Sequence, residues 1–304
     1  MKKKILVLMG GISDEKEISI LTGQACVRAL RKKKYKVNTL NPKGNIIEEI
    51  RKMKPQVVFN ALHGRFGEDG YIQSILESEK IKYTHSGVLA SIIAINKEIS
   101  KKIFIKNKIK TPKYFMYNYN DTPNILSLVK RFKINFPVVI KPINEGSSIG
   151  VHICTKKNIK KSLKKLKKYN KILVEEYIPG REIQVAVMNN KALGAIELKP
   201  RRKFYDYYAK YSDQAKTKHI MPAPLESKKY KEVLRIAKKV HLLLGCKGIT
   251  RSDFRYDNKN FFLLELNTQP GMTNLSLVPE IAAHKGIKFE NLVEWMIKDA
   301  SCQR

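Results

Sequence analysis

Short apolar runs alternate with amphipathic stretches over the first third of the chain. Ile5-Leu6-Val7-Leu8 leads into Gly10-Gly11, and SDEKEISILTGQACVRALRKK follows with Ile18, Leu21, Ala25 and Leu30 spaced for one side of a helix. KVNTL and PQVVFNAL predict two more strands, and GYIQSILESEK predicts a second helix. Strands that alternate with helices predict a parallel α/β sheet. From about residue 93 the pattern changes. NKEISKKIFIKN predicts a helix and Thr111-Pro112 a break, while FPVVIKP, GVHIC and ILVEEYI predict short strands around a Gly/Ser loop. Beyond 180, EIQVAVM and LGAIELK predict strands, FYDYYAKYSD an aromatic loop, KEVLRIAKKVHLLLG a helix and TRSDFRYD-NKN-FFLLELN a hairpin. The expected organisation is an α/β segment (1–92) followed by two α+β segments (93–180 and 181–304).

The hairpin raises the first chemical question. Residues two apart on a strand share a face, so Arg251, Asp253 and Arg255 face one way, as do Leu263, Glu265 and Asn267. A three-residue turn at Asn258-Lys259-Asn260 sets Asp253 opposite Glu265 and Arg251 opposite Asn267. Opposed carboxylates repel across a ladder. Two readings stay open. A hard cation between the acids, with Asn267 as a neutral oxygen, suits Mg²⁺; alternatively, Arg251 and Arg255 neutralise the acids within the sheet.

VVIKPINEGSSIGVHIC places Lys141 at a strand end, before a small loop whose backbone N–H groups can cradle phosphate oxygens. The same loop spells G-x-S-x-G around Ser148, a hydrolase pattern that requires a strand-to-helix elbow. VHIC alternates as a strand, so the context speaks against a nucleophilic serine. In LMGGISDEKEIS there is no G-x-G-x-x-G. Asp14 with Glu17 matches a capping box, and Glu15 in the first helical turn has the wrong charge for a pyrophosphate and the right one for an ammonium. FNALHGRFGEDG, with His63, leaves a strand for a glycine-rich loop, the usual place for ligand contacts on a parallel sheet.

Composition adds one surprise, a net charge of +33 from 60 Lys+Arg against 27 Asp+Glu. The excess is spread along the chain. Its densest run, KKNIKKSLKKLKKYNK, keeps Ile159, Leu163 and Leu166 on one stripe, which predicts a solvated basic helix rather than a nucleic-acid surface. Four scattered cysteines without C-x-x-C spacing read as reduced thiols of a cytoplasmic protein. The apolar start is too short for a signal peptide and DEKE follows at once. No apolar run is long enough for a membrane span.

Taken in order, GGISDEKEIS, HGRFGEDG, IKPINEGSSIG, ILVEEYIPGREI, FYDYYAKY, GCKGITRSDF and LLELNTQPGMTNLSLVP resemble the D-alanine–D-alanine ligases of the ATP-grasp superfamily, over nearly the whole chain. The resemblance implies an N-terminal Rossmann-like lobe of parallel α/β structure and two α+β lobes that clamp ATP. It implies phosphate contacts at Lys97, Lys141 and Lys210, loop contacts to ATP at Ser147 and Ser148, and adenine and ribose contacts at Glu175 and Glu182. Asp253, Glu265 and Asn267 match ligands of two Mg²⁺ ions, replaceable by Mn²⁺, which favours the cation reading of the hairpin.

On the amino-acid side, Glu15 matches the residue that holds the first D-alanine's ammonium, and His63 one near its carboxylate. Arg251 and the Gly271 N–H match oxyanion donors, and Ser276 and Leu277 the site of the second carboxylate. Tyr211 and Ser147 match a hydrogen-bonded trio with Glu15. The implied reaction joins two D-alanines through an acyl phosphate, for peptidoglycan. Relatives that make the D-lactate ester replace the lid tyrosine, so Tyr211 favours the dipeptide. A homodimer is an expectation from relatives; neither nucleic acid nor membrane is expected as a partner. Gln269 stands where many relatives carry Ser, and no change in chemistry is expected from it.

Overall fold

The computed structural model describes residues 3–120, 124–200, 217–273 and 275–304. The first segment forms β1 (Lys4–Leu8), α1 (Lys16–Lys32), β2 (Lys36–Leu40), α2 (Ile46–Met53), β3 (Val57–Asn60), α3 (Tyr71–Ser78) and β4 (Lys82–Tyr83). These strands make a parallel sheet of order β2-β1-β3-β4. β1 and β3 are almost wholly buried, as their unbroken apolar runs require. Because Leu8 pairs with Asn60, the loops that leave β1 and β3 emerge side by side. Their chains then depart to opposite sides, which opens a crevice at the strand ends. That crevice receives Glu15 and His63.

α1 differs from its expected start. Glu15 is the N-cap and makes no side-chain cap bond, so the Asp14/Glu17 capping box does not form. Leu21 is 52% exposed. The buried stripe runs instead through Ile18, Thr22, Ala25, Cys26 and Ala29, and Leu21 falls about a quarter-turn outside it at 3.6 residues per turn.

Next come α4 (Val88–Ile95), α5 (Lys97–Lys106), β5 (Tyr114–Asn118), α6 (Ile125–Arg131), β6 (Val138–Pro142), β7 (His152–Cys154), α7 (Ile159–Lys165) and β8 (Lys171–Glu176). Asn96 caps α5 by accepting from the backbone N–H groups of Glu98 and Ile99, at 3.1 and 3.0 Å. The four strands form an antiparallel sheet of order β5-β8-β6-β7. Ile159, Leu163 and Leu166 bury against it, so the basic run is an amphipathic helix whose lysines face solvent.

The remainder contains β9 (Arg181–Met188), β10 (Lys191–Lys199), β11 (Lys218–Ile220), α8 (Ser227–Leu243), β12 (Ile249–Tyr256), β13 (Phe261–Asn267), α9 (Leu277–His284) and α10 (Phe289–Asp299). Its strands form an antiparallel sheet of order β11-β10-β9-β12-β13. One core joins Ile5 and Val7 of β1 to Ile196 of β10, Ile281 of α9 and Met296 of α10. The first and last segments therefore share apolar packing on one face of the parallel sheet, while Leu6, Leu8 and Val58 on its other face pack with Ile50, Ile72 and Leu76 in a core of the first segment's own.

In the hairpin, Asp257, Asn258, Lys259 and Asn260 all lie between the paired Tyr256 and Phe261, one residue more than expected. Asp257 Oδ1 fixes this turn by accepting from the N–H groups of Lys259 (2.8 Å) and Asn260 (2.6 Å). A bulge at Leu264 then restores the register, so Asp253 does face Glu265 and Arg251 does face Asn267. The same bulge breaks the alternation. Leu263 is wholly buried in the core, on the face away from Glu265 and Asn267. Among the described residues no helix is long and apolar enough to cross a membrane. Cys26, Cys154, Cys246 and Cys302 are free thiols.

Candidate active site

Two clefts meet where the three sheets converge. Glu15, His63, Ser147, Arg251, Asn267, Gly271, Ser276 and Leu277 line the first. Glu15 is buried at the head of α1, and Ser147 Oγ donates a hydrogen bond to its Oε1. Two glycines leave room for this carboxylate. A Cβ on Gly64 (φ +67°) would lie 2.7 Å from Glu15 Oε2, and one on Gly146 would lie 3.1 Å from it. His63 is buried, with Nδ1 2.9 Å from Glu68 Oε1 and Nε2 3.1 Å from Thr22 Oγ1. Burial alone would lower its pKa, but the hydrogen bond and charge of Glu68, with the charge of Glu15, outweigh it and hold the imidazole above its usual range.

Across the cleft, Arg251 donates from Nε and Nη2 to both oxygens of Asp253, at 2.7 and 2.9 Å. This bidentate pair fixes the guanidinium plane. Ser276 is the N-cap of α9, and its Oγ accepts from the Thr273 N–H at 2.9 Å. It packs so close to Gly271 that a Cβ there would sit 3.0 Å from Ser276 Oγ.

Lys97, Lys141, Ser148, Glu175, Glu182, Asp253 and Glu265 line the second cleft, with Val139, Ile178 and Leu264 as apolar walls. Gly146 lines both clefts, so they lie side by side. Lys97 Nζ donates to the Glu145 carbonyl at 2.6 Å and lies 3.2 Å from Glu265 Oε2. Lys141 Nζ lies 2.5 Å from Glu175 Oε1. Burial pushes the Glu175 carboxyl up; Lys101 and Lys141 outweigh that and hold it below its usual range. Ser147 and Ser148 both occupy the left-handed region, at φ 47° and 62°, in the turn between β6 and β7. Such backbone strain clusters at ligand-binding loops. A strand follows this turn, so the hydrolase elbow is absent.

The hairpin acids are met by cations from both sides, Arg251 for Asp253 and Lys97 for Glu265. Arg255 turns away to the carbonyls of Ile178 (3.0 Å) and Gly180 (2.7 Å) and does not neutralise them. Among the described residues no three His, Cys, Asp or Glu side chains converge on a metal-sized site. A cation here would rest on two carboxylates and the Asn267 amide, with other positions left to water and substrate oxygens. That all-oxygen, open donor set fits Mg²⁺. Lys210, Tyr211 and the FYDYYAKYSD stretch lie outside the described residues.

Four further residues escaped the sequence reading. Glu68 partners His63 from five residues on. Lys101, four residues after Lys97, sits on the buried face of α5 with Ser100 and Phe104, and a lysine on an apolar stripe was the available signal. Gln184 is 1% exposed in the first cleft, and its Oε1 has no hydrogen-bond partner among the described residues. A lone amide inside EIQVAVM was its signal. Gln269, expected to leave the chemistry unchanged, is buried and bridges two segments. Its Oε1 accepts from Asn60 Nδ2 at 2.8 Å, and its Nε2 donates to the Leu62 carbonyl. It ties the turn at Gly271 to the loop that carries His63.

A lysine-lined cleft between two antiparallel sheets, beside a pocket with a buried carboxylate and a fixed guanidinium, is the layout of an ATP-grasp ligase. The family model described as D-ala D-ala ligase C-terminus matches residues 104–298. The D-alanine–D-alanine ligase of Pelagibacter ubique (strain HTCC1062) is 61% identical over 100% of both chains. That of Wolbachia pipientis wMel is 48% identical over 97% of this chain and 94% of its own. The crystal structure of D-alanine–D-alanine ligase from Bacillus anthracis complexed with ATP matches with a TM-score of 0.84 at 31% identity, covering 98% of this chain and 97% of that one. A second crystal structure of that enzyme matches with a TM-score of 0.87 at 34% identity, with the same coverage. The chain belongs to the D-alanine–D-alanine ligase family.

Proposed function

We infer that the chain joins two D-alanines at the expense of ATP, through an acyl phosphate. The observation that carries this reading is the adjacency of the two clefts at Gly146, which sets a pocket suited to an amino acid beside one suited to phosphates. Glu15, oriented by Ser147, takes the ammonium of the first D-alanine, and His63 lies near its carboxylate. In the second cleft Glu175 and Glu182 take the adenine and ribose, while Lys97, Lys141 and the N–H groups around Ser148 take the phosphates. Asp253, Glu265 and Asn267 would hold the Mg²⁺ ions, for which Mn²⁺ can substitute; when bound, they neutralise charge on the transferring phosphoryl group.

A carboxylate oxygen of the first D-alanine attacks the γ-phosphorus and ADP leaves. The amine of the second D-alanine, whose carboxylate sits at Ser276 and Leu277, then attacks the carbonyl carbon. Arg251 and the Gly271 N–H stabilise the oxyanion. The C–O bond to phosphate breaks and the dipeptide forms. Lys210 and Tyr211 keep the roles the resemblance implies, at the phosphates and beside Glu15. Three lobes, 1–92, 93–180 and 181–304, a cytoplasmic location, a homodimeric state and use of the product in peptidoglycan complete this reading.

The test is phosphate release from Mg-ATP with D-alanine, L-alanine, or D-alanine plus D-lactate, with products identified by mass. Release with D-alanine and formation of D-alanyl-D-alanine are expected. Equal release with L-alanine, or mainly the D-lactate ester, would overturn the substrate assignment. Gln269 offers a finer check, since a serine side chain cannot span both Asn60 and Leu62. Gln269→Ser is expected to raise KM for the first D-alanine about tenfold and to leave KM for ATP within about twofold, the scale of one or two lost buried hydrogen bonds. Initial-rate kinetics in both substrates reads this directly.

A further inference from the structure

Glu175 is 2% exposed, yet it meets two ammonium groups. Lys141, which lines the second cleft, lies 2.5 Å from Oε1. Lys101, fully buried behind it, lies 2.9 Å from Oε2, donates to Thr111 Oγ1 at 2.5 Å and stands 5.4 Å from the centre of the Tyr114 ring. Lys101 is the donor nearest Oε2, and their contact does not satisfy this buried oxygen, which keeps acceptor capacity among the described residues. Glu175 lines the second cleft, so a carboxylate with that capacity left over stands where a bound group can supply a donor.

We propose that Lys101 is a positioning residue for nucleobase recognition: it holds Glu175 ionised and oriented so that Oε2 accepts the 6-amino group of adenine, and it leaves Lys141 available to phosphate. The proposal rests on the nucleotide reading of the second cleft given above. Without Lys101, Glu175 and Lys141 form a closed, neutral pair. With it, the cluster carries one net positive charge beside the phosphates, where low dielectric makes a single charge matter.

Lys101 itself is poised near neutrality. Burial pushes it down to about 8; the charge of Glu175 opposes this, Lys141 adds to it, and the hydrogen-bonding contact with Glu175 and the charge of Glu265 on β13 oppose it. Below that pH the ammonium persists, and above it a neutral amine remains, so the effect of Lys101 is lost as pH rises.

The test compares kcat/KM for ATP with kcat/KM for inosine triphosphate, which carries an oxygen in place of the 6-amino group. Lys101→Met keeps the length of the side chain without its charge, and Glu175 still has Lys141. This variant is expected to lose about tenfold in ATP preference and to raise KM for ATP about tenfold, with KM for both D-alanines within about twofold. In the unaltered protein the preference should decline from about pH 7 to about pH 9, and in Lys101→Met it should be flat. A role confined to stability would not move the ratio. If Glu175→Gln collapses the preference and Lys101→Met leaves it intact, the role of Lys101 is rejected while that of Glu175 stands. If neither variant changes it, the assignment of Glu175 to the nucleobase fails. Should Lys101→Met not fold, a flat preference across that pH range in the unaltered protein overturns the proposal.

Discussion

Arg251→Met is expected to lower kcat for dipeptide formation by about a thousandfold, because removal of one oxyanion donor alone costs about 10²–10³. The guanidinium also holds both oxygens of Asp253, and that largely buried pair is lost with it. An orphaned carboxylate beside developing negative charge adds to the penalty. KM for ATP should stay within about threefold, since the nucleotide contacts assigned here lie on other residues. The two steps of the reaction give a sharper signature. Phosphoryl transfer precedes the oxyanion, so ATP cleavage should outlast dipeptide formation and become uncoupled from it. Rapid-quench measurement of ADP and dipeptide in one turnover separates them. A dipeptide rate within about tenfold of the unaltered protein would remove Arg251 from the oxyanion site.

Glu15→Gln is expected to act on the opposite end of the same pocket, raising KM for the first D-alanine about a hundredfold through loss of a buried charge pair. Gln is nearly the same shape, so the close glycines at 64 and 146 accept it. What it lacks is the negative charge for a desolvated ammonium. Ser147→Ala should cost less, about tenfold, because Ser147 orients the carboxylate through one charge-assisted hydrogen bond and carries no charge itself. KM for ATP serves as the control in both variants. Equal KM values for D-alanine in Glu15→Gln would mean that the ammonium binds elsewhere.

Much of the fold was legible because its strands carry unambiguous patterns. The apolar runs of β1 and β3 have one comfortable place, the middle of a parallel sheet, and their pairing brings Glu15 and His63 to one crevice. The hairpin was legible in outcome though not in detail. A turn one residue longer than expected and a bulge at Leu264 cancel each other, so Asp253 still opposes Glu265 while Leu263 turns into the core. Local pattern gives no warning of a bulge, whose position depends on what the neighbouring strand and core demand. Long-range partners were the other blind spot. Gln269 gains its role from Asn60 and Leu62, some two hundred residues away in the chain. Lys101 looked like one lysine among many, and only the fold, which brings the end of β8 within side-chain reach of α5, sets it on Glu175. In a chain with 60 Lys and Arg, a functional lysine is hidden by its abundance, whereas the few acids stand out.

The most direct test of the central claim follows oxygen rather than rate. D-Alanine labelled with oxygen-18 at both carboxylate oxygens is incubated with the protein and Mg-ATP, and the released phosphate and the dipeptide are analysed by mass. Attack of the carboxylate on the γ-phosphorus predicts one labelled oxygen in each phosphate and one retained in the new amide carbonyl. Dipeptide formed with unlabelled phosphate, or label recovered in AMP, would contradict an acyl phosphate at this site.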